Sequence, residues 1–445
     1  MPPSLLILIP RLVSTLVLAT IALGLPHDTI LRSDVQKPLN IHSTSVTPTL
    51  DVRRYLLHSA ADRDDLLVNA IAHDLDIWSL TQHNADVYFP NHASIPSYFD
   101  DRNYTAVRPL EQVPSNSLTP ARAGPWNTSS LSGCTFHNVF HTQLEIHDFI
   151  HQLAEEYSDF VELITLGRTS EGRAVQALSI SKHGKGKTGK KLKKRLVIQG
   201  AQHAREWIAT STALYIAHAL LVKASDPRSK RDLLKKMDFT IIPLPNPDGY
   251  VYTWEHDRLW YKNRADVGDG EECKGIDLNR NWGYAWMPPT EPTPCSHWYP
   301  GSHPFEALEP RAVAAYIHRT PNIKGFLDLR SYGQMIMHPF SHSCDHHAKD
   351  EENLLEAALG AAKAMSKTHG IAVRTGSLCD KLYSAPGNVV DWMYGEARIT
   401  ISYSVMLRDT GTYGFLLPSK YIRPVGEETA DMVDYLAKWI KKHKV

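Results

Sequence analysis

The chain has 445 residues, more than one compact core usually holds, which points to two domains or to one large domain with an appended region. Lys plus Arg and Asp plus Glu each number 48, so the formal net charge is zero. That leaves no long-range field to recruit nucleic acid or a membrane surface, and partners have to be sought in local features.

The N-terminus carries an apolar run from Leu5 to Ile9, interrupted by Pro10 and Arg11, then a second from Leu12 to Leu23 that ends in Gly24. Residues 1–24 therefore read as a secretory signal peptide. No further apolar stretch of spanning length follows, so no membrane span is expected once the signal is removed. Residues 25–50 are polar and rich in Ser, Thr and Pro, a flexible lead-in.

Between Asp62 and Leu75, Leu66, Leu67, Ala70, Ile71 and Leu75 recur at helical spacing, and Ile77, Trp78 and the strand-like Val87-Tyr88-Phe89 follow. Residues 51–108 are expected to form a small α+β domain of their own. The triplets Asn103-Tyr104-Thr105 and Asn127-Thr128-Ser129 are glycosylation sequons, which fit a secreted or vacuolar protein. The Pro and Gly residues punctuating 109–134 predict a linker.

The large domain is expected over 135–445. Ile146, Ile150, Leu153 and Tyr157 predict an opening helix. Apolar strands at Leu196–Ile198, Phe239–Leu244, Phe326–Leu329 and Ile399–Val405 then alternate with helices near 208–223, 353–367 and 427–442. This order predicts an α/β fold, a mostly parallel mixed sheet with helices on both faces. The basic run from Lys185 to Arg195 is a single cluster in a neutral chain and reads as a solvated loop. Five cysteines, Cys134, Cys273, Cys295, Cys344 and Cys379, are too few for a disulfide scaffold and serve to staple loops; spacing does not fix their pairing.

The segment from Gly200 to Ile208 follows an apolar strand and opens a helix, and it places His203 beside Glu206. Such a pair can give two of the three protein ligands of a catalytic zinc. Further motifs follow: Arg258-Leu259-Trp260, Gly275 to Trp282, Ser331-Tyr332, Tyr383, Val390-Asp391-Trp392 and Leu407 to Pro418. In order and spacing these resemble the carboxypeptidase A/B family of zinc peptidases, from about Thr135 to the C-terminus. Leu75-Asp76-Ile77-Trp78 resembles part of that family's N-terminal pro-segment.

The resemblance implies that Asn279 and Arg280 grip a peptide's terminal carboxylate, a task suited to the rigid, always charged guanidinium fork. It implies that Tyr383 covers the bound peptide end. His203, Arg205, Glu206, Arg258, Ser331 and Tyr332 line the remaining substrate-binding positions, and Val390 the specificity pocket, which as an aliphatic residue suits an apolar C-terminal side chain. It also implies a Cys273–Cys295 disulfide and leaves the other three cysteines unassigned.

The chemistry is expected to be missing. Where the family has its third zinc ligand, this chain has Arg330, a fixed cation with no lone pair, so only His203 and Glu206 remain as metal ligands and zinc occupancy is doubtful. The general-base position is Met406, which cannot take a proton from water. A carbonyl-polarising arginine is replaced by Tyr261. An Arg330–Glu206 ion pair is expected to stand in for the metal.

Within the family the resemblance is to fungal inactive carboxypeptidase-like proteins linked to cell-wall organisation. The expectation is a secreted or vacuolar pseudoenzyme that binds peptide C-termini or a cell-wall component. Two alternatives stand beside it: an active zinc carboxypeptidase with rewired ligands, in which His338 or His342 completes the site, and a structural or inhibitory module that binds no peptide.

Overall fold

The computed structural model describes residues 50–90, 94–107, 124–182, 192–268, 273–288 and 293–444. The signal peptide, nearly all of the lead-in, most of the linker and the start of the basic run lie outside them. All described residues belong to one compact unit, Pro48–Val445.

The small N-terminal domain carries strands β1 (Asp51–Leu56), β2 (Asp76–Leu80), β3 (Asn84–Phe89) and β4 (Tyr104–Val107), with the helix Ala60–Ala72 between β1 and β2. Ser59 caps that helix by accepting a hydrogen bond from the Asp62 backbone N–H. The strands pair antiparallel in the order β2-β3-β1-β4. Tyr55, Leu66, Ala70, Val87 and Phe89 close a core of their own, so the helical spacing seen in the sequence is the buried stripe.

The large domain is built on eight strands: β5 (Val161–Arg168), β6 (Ala174–Ile180), β7 (Arg195–Gln199), β8 (Asp238–Ile242), β9 (Ile323–Arg330), β10 (Met335–His338), β11 (Arg374–Ser377) and β12 (Ile401–Met406). Their order is β11-β10-β12-β9-β7-β8-β6-β5. The centre, β12-β9-β7-β8, is parallel, while β5, β6 and the β10–β12 pair are antiparallel. Both faces are covered. Alternate residues of the central strands, Leu196, Ile198, Leu327, Leu329, Tyr403 and Val405, join the core under the helices Trp207–Leu221, Glu351–His369 and Ile422–Lys442. Val197, Ile242 and Phe326 point the other way, toward the helices Leu308–Arg319 and Val389–Gly395.

The stretch read as linker behaves differently from Gly124 onward. Leu131 and Cys134 are buried in the main core, and Trp126 packs edge-on against Phe136 and Phe149. Hydrogen bonds from Tyr157 Oη to the Thr128 carbonyl (2.7 Å) and from the Leu131 N–H to Asp226 (3.0 Å) hold the segment down. Its prolines and glycines shape a surface-hugging entry into the large domain. Cys273 pairs with Cys295 and Cys344 with Cys379. At the end of the basic run, Lys193, Lys194 and Arg195 all donate to carbonyls or hydroxyls within the chain.

Candidate functional site

The parallel strands end where a sheet of this kind places its ligands, at their carboxyl ends. His203 and Glu206 lie in the turn between β7 and the helix Trp207–Leu221, Asp277 just before a short helical turn, and Asp328 and Arg330 at the end of β9. Arg330 reaches across with both arms: Nε donates to Glu206 Oε2 at 2.9 Å and Nη2 to Glu206 Oε1 at 3.0 Å. The same Nη2 touches His203 Nδ1, and Nη1 is 3.5 Å from Asp328 Oδ2. His203 Nε2 is 2.9 Å from Asp277 Oδ1, and the Ser331 N–H donates to Glu206 Oε2 at 3.2 Å. Glu206 and His203 are each 1% exposed and Arg330 6%, so this is a buried charged network; both Glu206 oxygens are satisfied, while Asp277 Oδ2 and Asp328 Oδ2 accept no hydrogen bond.

The electrostatics follow from the geometry. Burial pushes the Glu206 carboxyl up, yet Arg330 and His203 outweigh it and hold it down at about 2. Burial raises Asp328 to about 6, since Glu206 adds repulsion and Arg330 is shared between two carboxylates. Arg330 itself is held protonated by the pair, against the pull of burial.

This set of donors does not fit a zinc ion. The guanidinium already binds the Glu206 carboxylate and abuts the His203 nitrogen that would have to face the metal, and it supplies the positive charge itself. His338 and His342 do not complete a metal site here. His338 Nδ1 sits 2.7 Å from the Pro339 carbonyl, and His342 is held by Asp391 at 2.8 Å and His346 at 3.0 Å.

Met406 ends β12 directly beside Arg330 and packs against Met335, Met337 and Leu378. The Tyr261 ring lies against the His203 ring with centroids 3.7 Å apart, and its phenol is raised well above the usual range by burial and by Asp277.

The expected peptide-end residues are partly assembled. Arg280 Nη2 donates to Tyr383 Oη at 3.2 Å, and among the described residues no carboxylate is in ion-pair contact with it. Asn279 is turned inward, its Oδ1 accepting from the Val389 N–H at 3.0 Å. Gly387 lets these two segments meet: its φ is +73° and a Cβ there would lie 2.1 Å from the Arg280 carbonyl oxygen. Val390 is fully buried in the second apolar cluster, so it offers no surface to a ligand in this conformation; the helix Val389–Gly395 turns that side toward the sheet.

The outer positions are covered by the small domain. Both Asp76 oxygens bind the Arg205 guanidinium, Nη2 to Oδ1 at 2.9 Å. Asp86 takes two 2.6 Å bonds from Arg54 and accepts from Tyr332 Oη at 3.2 Å. Arg258 braces this corner, donating to the Arg205 and Phe415 carbonyls at 2.9 and 2.8 Å. Sequence reasoning did not single out Asp76, Asp86, Asp277 or Asp328. Asp76 and Asp277 lay inside quoted motifs, but the contacts of Asp76 with Arg205 and of Asp86 with Tyr332 cross to the other domain and leave no local signal.

The family model for zinc carboxypeptidases matches residues 146–432. The chain belongs to the zinc carboxypeptidase family. Among curated carboxypeptidase relatives, the inactive metallocarboxypeptidase ECM14 of Paracoccidioides brasiliensis (strain Pb18) is 31% identical over 83% of this chain and 68% of its own length. That of Ajellomyces dermatitidis is 33% identical over 87% of this chain and 72% of its own. Among solved carboxypeptidase structures, thrombin-activatable fibrinolysis inhibitor superposes with a TM-score of 0.74 at 29% identity, covering 89% of this chain and 99% of that one. The small α+β domain is included in that coverage. The chain is a non-catalytic member of this family.

Proposed function

We propose that the protein is a secreted or vacuolar carboxypeptidase-like protein that has exchanged hydrolysis for binding, holding peptide C-termini through Arg280 and Tyr383 and contributing to cell-wall organisation. The observation that carries the loss of hydrolysis is the Arg330 fork on Glu206, because it fills the metal position with a side chain. Met406 removes the general base, whose assistance is typically ~10²–10⁴-fold in rate, and Tyr261 removes a cationic donor. Retained binding is supported by the Arg280 guanidinium, which stands beside Tyr383 with no internal carboxylate paired to it among the described residues. Exposure of the sequon residues Asn103 and Asn127 and the two disulfides support passage through an oxidising secretory route. The cell-wall role is carried by the family likeness.

A module that binds no peptide is the second reading. It is favoured by the small domain's hold on Arg205 and Tyr332. Titrating a peptide with a large apolar C-terminal residue against its C-terminally amidated form separates the two. The binding reading expects the free acid to win and Arg280→Ala to abolish the difference; indifference to both changes leaves the structural module.

A further inference from the structure

The turn that opens the large domain meets the last turns of the helix Trp207–Leu221, at the opposite end from Glu206. Cys134 precedes the short helical turn Thr135–Asn138, which carries His137, and His218 lies in the last turn of the long helix. The Cys134 sulfur and one nitrogen from each histidine all lie within 4.8 Å of one another, and the three residues are 0%, 1% and 0% exposed. His137 Nε2 and His218 Nδ1 face each other at 2.9 Å. We propose that Cys134, His137 and His218 form a buried site for one thiophilic d10 metal ion, with cuprous copper the best match.

Three observations carry this. The first is orientation. His218 Nε2 is 2.7 Å from the Thr128 carbonyl, which can only accept, so the neutral ring carries its proton there and presents the Nδ1 lone pair to the cluster. A backbone carbonyl holding the outer nitrogen is the usual way a ligating histidine is fixed in tautomer and angle. The second is rigidity. Arg423 donates to the Leu131 and Cys134 carbonyls at 2.6 Å each and to Asn138 at 2.9 Å, fixing the backbone that carries the sulfur and His137. The third is donor chemistry. A bound ion needs about 2.3 Å to sulfur and about 2.0 Å to each nitrogen, so the present separations reach a common centre with small shifts.

The choice of ion follows from coordination and charge. Thiolate with imidazole selects zinc or cuprous copper. Structural zinc takes four ligands, whereas the donors gathered here are three, on residues at most 1% exposed. One thiolate and Cu⁺ sum to zero charge, while Zn²⁺ would leave a net positive charge buried near Arg423. Binding releases the Cys134 thiol proton as the S–Cu bond forms. The His137 proton passes from Nε2 to Nδ1, an atom that has no hydrogen-bond partner in this structure. No electron moves. The ion staples the entry segment of the large domain to the helix Trp207–Leu221.

The test is anaerobic titration of the full chain with Cu⁺ against a competing cuprous chelator, with X-ray absorption on the loaded protein. One equivalent is expected, with a shell of one sulfur and two nitrogens, and Cys134→Ala is expected to weaken binding on the order of 100-fold or more, at least what second-shell changes cost. The shell is read on the unmutated chain, so a poorly folding variant does not block the answer. A sulfur-free shell, preference for Zn²⁺, or loss of binding in a His342→Ala, His346→Ala variant in place of Cys134→Ala overturns the proposal.

Discussion

Arg330 and Met406 are register partners at the ends of two adjacent parallel strands, β9 and β12, so their side chains share one face of the sheet. The two positions where metal ligation and proton abstraction are expected thus hold a guanidinium beside a thioether. Their neighbours on that face, Asp328 and Ser404, are likewise register partners, and Asp328 is part of the charged network around Arg330. Arg330, Glu206 and Asp328 form a network of fixed charge there, and its energetics can be probed.

Arg330→Met leaves Glu206 buried without its cation, and such a broken pair costs about 3–5 kcal/mol. Adding Glu206→Gln removes the orphaned charge, so the double variant is expected to regain most of that loss. Urea unfolding of the two single variants and the double variant gives the coupling directly; additive losses contradict the pairing.

Three carboxylates of the small domain, Asp74, Asp76 and Asp86, reach into the large one. Replacing Asp76 by Ala frees Arg205, and replacing Asp86 by Ala frees Tyr332. Each is expected to speed amide exchange in β1, β2 and β3 while leaving β7, β9 and β12 protected, because the loss acts on one sub-global opening. Uniform acceleration across both domains runs against this account.

Glu309, 1% exposed, is raised to about 7 by burial, with Asn263 donating to it at 3.0 Å. Its folded value lies above the unfolded value near 4.5, so the native state binds the extra proton between them. The penalty is absent below about pH 4.5, grows through the window and is complete above about 7. Glu309→Gln is therefore expected to stabilise the protein by roughly 1–3 kcal/mol at pH 8 and by little at pH 4.5. Paired thermal melts at the two pH values check it, and a gain that does not shrink on acidification contradicts it.

The sequence made the sheet legible because its strands are apolar and regularly spaced between helices. The alternation in Ile401, Tyr403 and Val405 against Ser402, Ser404 and Met406 is the alternation of the two faces. The peripheral strands β5, β6, β10 and β11 were not read, and neither was the helix Leu308–Arg319, which buries the charged Glu309 among its apolar positions. The Arg330–Glu206 pair was legible because a cation at a ligand position leaves a buried carboxylate to satisfy. Trp126, Leu131 and Cys134 were hidden by the Pro and Gly around them, which mark turns without saying whether the turn lies on a core. Long-range pairs such as Asp76 with Arg205 have no periodicity to betray them.

If Arg330 stands where the family holds its metal, zinc cannot bind through His203 until that guanidinium is removed. The most direct test is zinc binding by the full chain and by Arg330→His, each measured with and without His203→Ala against a chromophoric chelator. No His203-dependent zinc is expected in the unmutated chain and one His203-dependent equivalent in Arg330→His. One equivalent bound by the unmutated chain and lost with His203→Ala would contradict it.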